Sequence, residues 1–335
     1  MEVLITAKTY DDKHILEDIV IENYRKSILS VYMQLEQILD TSLLNSIIIP
    51  EDYKNELFEF QRKNGHSEFV TENEYGKGHA QVVSSESENG DTVYNVIINK
   101  SVIFALVSDD ALQRIKDYLA EDEQYISLFN ARLRAINTIF HELVHVHEHS
   151  INNNIEWLQK IDEKTDLQNQ YKRLALRCWS EYFACRIASA TFNFKPENCY
   201  EIIGTCKDVE LMLQKKRSKY NCRIITLDEF VIEFHNYTNF ILKKIASEHG
   251  NLFSLMDERE DVIQMLENRL EETYIKKIWF ESGKELDKLF DKYPNWEDHT
   301  ILDGLIELIV KYHNQFEIYI NETPEGIHYD IPVRI

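Results

Sequence analysis

The run Thr138-Ile139-Phe140-His141-Glu142-Leu143-Val144-His145 lies in an apolar, helix-favouring segment and sets two histidines four residues apart. On an α-helix such residues sit one turn apart and about 40° from each other, so both imidazoles can point at one metal ion. Glu142 falls beside that stripe, where a carboxylate can hold a water next to the metal. The flanking Ile139, Phe140, Leu143, Val144 and Val146 are bulky and uncharged, so this helix is expected to be largely buried. Burying two imidazoles and a carboxylate without partners is costly, and a bound cation removes that cost.

Thr-x-x-His-Glu-x-x-His resembles the extended HExxH motif of the zincin metallopeptidases. His147 is a departure, because that position is usually apolar. The resemblance implies a single catalytic Zn2+ held by His141 and His145, with Glu142 as general base for the water that the metal activates. A catalytic zinc takes three protein ligands, so a third is required. The metzincin pattern would place a glycine and a histidine where Glu148 and Ile151 stand, and the inverted HxxEH motif does not occur.

Downstream, Trp179-Ser180-Glu181-Tyr182-Phe183-Ala184-Cys185-Arg186-Ile187-Ala188 resembles the ExxAD helix of gluzincins such as the soluble ImmA/IrrE-like and the HtpX-like peptidases. Glu181, Ala184, the basic Arg186 and Ala188 match, while Cys185 stands where those families have aspartate. The resemblance implies that Glu181 is the third ligand. In such sites the aspartate orients a ligating histidine, which a thiol does poorly. Glu148, on the same face as His145, is the candidate replacement, and Cys185 is expected in the core or beside the ligands before being a ligand itself. The small Ala184, Ala188 and Ser189 permit close helix packing. Arg134, two turns before His141, is a candidate for a substrate carboxylate, or else an ion-pair partner on the surface. His149, two turns after His141, is a candidate for substrate or metal contact, although histidines near helix ends commonly serve neither. His235 and Tyr237 are candidates, by chemistry alone, for stabilising an oxyanion.

The 335 residues suffice for one large domain or two modest ones, and 44% apolar residues is ordinary for a globular chain. Nine glycines and five prolines favour helices joined by short loops. A net charge of −21 argues against nucleic acid as a direct partner, because phosphate binding wants basic patches. Five cysteines without a C-x-x-C pair read as reduced thiols. No basic-then-apolar leader is visible, and no apolar run approaches the roughly eighteen residues of a membrane span. The expectation is a soluble, cytoplasmic protein with no membrane partner.

Periodicity predicts an amphipathic helix from His14 to Leu39, a short strand at Ile47–Ile49, and a helix from Glu51 to Lys63. A hairpin follows, with strands Ala80–Ser85 and Thr92–Asn99 joined through Asn89-Gly90. Helices are predicted at Ala111–Leu119, Leu128–His149, Leu167–Ala190, Glu197–Ser218, Leu227–Glu248, Arg259–Phe280 and His299–Tyr312. The strand Val93–Ile98 is the candidate sheet edge for pairing with extended substrate. The expected fold class is α+β, predominantly α and zincin-like. A small mixed sheet with its hairpin packs on the HExxH helix, and an all-helical C-terminal part follows, apart from the last residues, Ile327–Ile335. Residues 1–195 would form the metallopeptidase domain and 196–335 a helical region, or both a single unit. The expected function is zinc-dependent hydrolysis of a peptide or protein substrate. The alternatives are a catalytically silent zincin-fold regulatory protein and a zinc hydrolase of a non-peptide bond.

Overall fold

The computed structural model describes residues 2–7, 14–67, 72–73, 76–106, 112–113, 123–161, 166–192 and 200–332, with backbone only at 14–20, 72–73, 76–77, 123–124, 192 and 256–257. Contacts divide the chain into Met1–Ile151 and Asn152–Ile335. The expected boundary at residues 195/196 lies outside the described residues, as does most of the helix expected at 111–119.

In the first unit, strand β1 (Glu2–Ile5) leads to helix α1 (His14–Leu35), strand β2 (Leu44–Ile49) and helix α2 (Tyr53–Lys63). Pro50 follows β2, and Asp52 caps α2 by accepting the N–H of Asn55 at 3.3 Å. After the two-residue ladder of β3 (Glu72–Asn73) and β4 (Gly76–Lys77) comes the expected hairpin, β5 (Ala80–Glu86) and β6 (Thr92–Ile98). Gly90 turns it at φ +85°, a conformation its missing Cβ makes easy. The short helix α3 (Lys100–Phe104) and the long α4 (Glu123–Asn152) complete the unit.

The sheet is mixed, in the order β1-β2-β6-β5, with β1, β2 and β6 parallel and β5 antiparallel to β6. This corrects the expected edge: β6 is an inner strand and β5 is the edge beside it. The burial of β6 agrees, for Asn95 through Ile98 are each 1% exposed or less. Asn95 tolerates that burial because its amide is matched. Oδ1 accepts from Ser46 at 2.7 Å and Asn45 at 3.0 Å, and Nδ2 donates to Ser85 at 2.8 Å. One face of the sheet packs Ile97 and Val83 against Tyr53 and Leu57 of α2. On the other, Tyr94 stacks on His149 of α4, with centroids 4.4 Å apart and planes 4° apart.

The second unit contains α5 (Glu156–Gln159), α6 (Leu167–Phe192), α7 (Glu201–Asn221), α8 (Leu227–Asn251), α9 (Arg259–Arg269), α10 (Lys276–Lys292) and α11 (Asp303–Gln315). The helix expected over Arg259–Phe280 is therefore two helices. Glu210 of α7 reaches across to accept the N–H groups of Tyr274 at 2.7 Å and Ile275 at 3.0 Å, capping the start of α10. A second correction concerns the C-terminal part, which is not all helical. Strands β7 (Tyr319–Thr323) and β8 (Gly326–Asp330) form an antiparallel hairpin, and Tyr329 hydrogen-bonds His235 at 2.8 Å.

Helices α6 and α8 run side by side in the same direction. They pack tightly at Gly250, where a Cβ would lie 2.6 Å from the Tyr182 carbonyl oxygen and 2.8 Å from the Cys185 Cβ. Ser189 donates to the Gly250 carbonyl at 3.1 Å. Trp179, fully buried, is ringed by Phe183, Phe290, Tyr293 and Trp296.

Candidate metal centre

The histidines sit in the middle of α4, on a stretch whose other side is the core: Ile139, Phe140, Leu143, Val144 and Val146 are fully buried. His141 and His145 are half-buried, and their Nε2 atoms are 3.0 Å apart with the ring planes at 85°. Glu142 lies between them in sequence, 8% exposed. The Nδ1 of His145 faces Glu148, whose buried carboxylate is 3.8 Å away. Nδ1 of His145 is thus on the Glu148 side of the ring and Nε2 on the His141 side.

Within the second unit, Glu181 is half-buried on α6 and is approached from α8 by Lys243 at 3.6 Å and by the Ser247 hydroxyl at 3.5 Å. His141 and His145 belong to the first unit and Glu181 to the second.

Cys185 is 7% exposed and packs at the Gly250 crossing, and burial together with the Glu181 charge pushes its thiol pKa up. A thiol kept protonated suits packing better than ligation. The small side chain at position 185 is thus accounted for by helix contact.

His149 and His147 are turned to other partners. His149 stacks on Tyr94, and burial lowers its pKa. His147 Nδ1 accepts the N–H of Asp40 at 2.8 Å. Arg134 is exposed, and its carbonyl accepts from the Thr138 hydroxyl at 2.9 Å. His235 is bonded to Tyr329 in the second unit. Tyr182 is hydrogen-bonded to Asp287 and to Arg186, whose guanidinium lies between Phe253 and Phe290.

Tyr53 was not visible from sequence. It opens α2, is 6% exposed, and feels Glu142; burial first, then that charge, raises its phenol pKa, so it stays a proton donor. Tyr94 stands in the same relation to Glu148. Neither tyrosine carries a local signal, since each is separated from its carboxylate by a long stretch of chain.

Comparison with protein-family models, with curated proteins and with solved structures finds no match for this chain. Among the described residues no helix is long and apolar enough to cross a membrane. The described cysteines Cys178, Cys185, Cys206 and Cys222 are free thiols.

Proposed function

We propose that the chain is a zinc-dependent metallopeptidase of gluzincin type. His141, His145 and Glu181 would hold the ion, and Glu142 would act as general base. The observation that carries this reading is the facing pair of Nε2 atoms 3.0 Å apart beside the buried Glu142. Two histidines on one tetrahedral zinc, at about 2.0–2.1 Å each, have their nitrogens about 3.3 Å apart. The donor set is also right for zinc, with two imidazoles and a carboxylate leaving one position open.

When bound, the ion supplies a Lewis acid that polarises a carbonyl and acidifies water. The remaining work belongs to the protein. Glu142 takes the proton from the attacking water and passes it to the leaving amine nitrogen. Glu148 keeps the His145 ring in place from the Nδ1 side. The edge strand β5, rather than β6, offers the unpaired backbone against which an extended peptide can lie. A cytoplasmic setting belongs to the same proposal, supported by the unpaired thiols.

Metal analysis of protein purified without added zinc, followed by a peptide-library cleavage assay on wild type and Glu142→Gln, tests the reading. One zinc per chain in both, with cleavage by wild type only, is expected. Stoichiometric zinc without cleavage by wild type would leave a silent, metal-stabilised fold. Absence of stoichiometric metal would overturn the proposal.

A further inference from the structure

The second unit holds a cavity of about 190 Å³ that the metal reading leaves unused. Gln170, Tyr171, Arg173, Arg177, His235, Asn239 and His313 supply its polar lining. Among the described residues no carboxylate lines it, in a chain with 58 acidic residues against 37 basic ones. Arg177 is exposed, and no carboxylate pairs with it among the described residues. A pocket whose described lining carries arginine and no carboxylate, in so acidic a protein, favours an anion by simple electrostatics.

The second observation is a buried polar group with nothing to bind. His313 is 1% exposed, and its Nε2 has no hydrogen-bond partner. Its Nδ1 meets the Tyr171 hydroxyl at 3.5 Å. Burial, and then the nearby His235, hold His313 down at about 3, so the ring is neutral. In the tautomer whose Nδ1 accepts the phenol proton, the ring's N–H is on Nε2, a buried donor that lacks an acceptor. Such a group costs stability unless a ligand or water meets it. Asn239 Oδ1 is likewise buried and unmatched, and turning the amide over offers its N–H groups instead.

We propose that this cavity binds a small organic carboxylate, its charged head held by Arg177 and His313 and its body set against Leu167, Leu174 and Ile320. An arginine fork and an imidazole N–H are donors suited to carboxylate oxygens. The size agrees, because an apolar cavity of about 150 Å³ holds benzene. Drug-sized ligands occupy about 300 Å³ or more. The inference stands apart from the metal site and does not require that the chain be a peptidase.

The test uses the full chain labelled with 15N-histidine, titrated separately with benzoate, inorganic phosphate and neutral benzamide, and followed by imidazole NMR and calorimetry. Benzoate is expected to shift saturably one imidazole signal that is missing from His313→Gln. Benzamide at the same concentration should leave it in place, and Arg177→Gln should weaken benzoate binding about tenfold or more. If His313→Gln fails to fold, the exposed Arg177→Gln carries the test by calorimetry. No saturable benzoate binding, equal response to benzamide, or unchanged affinity in Arg177→Gln would each overturn the proposal. Tighter binding of inorganic phosphate than of benzoate would overturn the organic-acid assignment.

Discussion

His145 is flanked on both sides of its ring: Nε2 is 3.0 Å from the Nε2 of His141, and Nδ1 is 3.8 Å from the buried carboxylate of Glu148. The ring edge turned toward His141 is therefore the edge able to bind a cation. Zinc at a hundred times its dissociation constant is expected to stabilise the protein by about 2.7 kcal/mol. His145→Ala should lose that gain. Thermal unfolding with zinc and with a chelator measures both, and an equal response of the two proteins would contradict the assignment.

Glu148→Gln keeps the shape and removes the charge behind His145. Zinc affinity is expected to fall about 10–100-fold, the usual effect of losing an orienting carboxylate. His149→Phe, whose ring can keep its stack on Tyr94, should leave affinity nearly unchanged. Competition with a fluorescent zinc chelator distinguishes the two, and a larger loss in His149→Phe would reverse their roles.

Gly250 and Gly204 make a matched pair on helices α8 and α7. A methyl at Gly250 would enter the Tyr182 carbonyl and the Cys185 side chain, whereas one at the exposed Gly204 meets nothing within 4 Å. Gly250→Ala is expected to cost about 1–3 kcal/mol through overpacking, while Gly204→Ala should gain about 0.4–1 kcal/mol by restricting the unfolded chain. Urea titration of both variants gives the sign of each.

Burial raises Glu210 from 4.5 to about 7 and outweighs the two backbone N–H groups it accepts. A carboxyl that binds its proton more tightly when folded contributes stability that is full below its unfolded value. That contribution is lost as pH rises through about 7. The span amounts to roughly 3 kcal/mol at 1.36 kcal/mol per pKa unit. Glu210→Gln cannot titrate, so its stability relative to wild type should rise between pH 5 and pH 8. Denaturant midpoints across that range check the slope, and a flat difference would show that Glu210 does not titrate there.

The break at Leu270–Ile275 shows why part of the helical region could not be read from pattern. Nothing local stops a helix there, for the stretch has neither glycine nor proline. The new helix begins because Glu210, far back in the chain, caps its first N–H groups. The C-terminal hairpin and β1 are short, and a strand of four or five residues has too few alternations to stand out from a loop.

The hairpin through Gly90 and the histidine stripe of α4 were legible because both are local. A turn needs particular φ values at particular residues, and i, i+4 neighbours are brought together by the helix's own hydrogen bonds. The inner place of β6, the nearness of Tyr53 to Glu142, and the Gly250 crossing that fills the space around Cys185 have no such local cause. They follow from which apolar faces find each other across long stretches of chain. Burial is non-directional, so the neighbours it selects are decided by the whole fold rather than by any one segment.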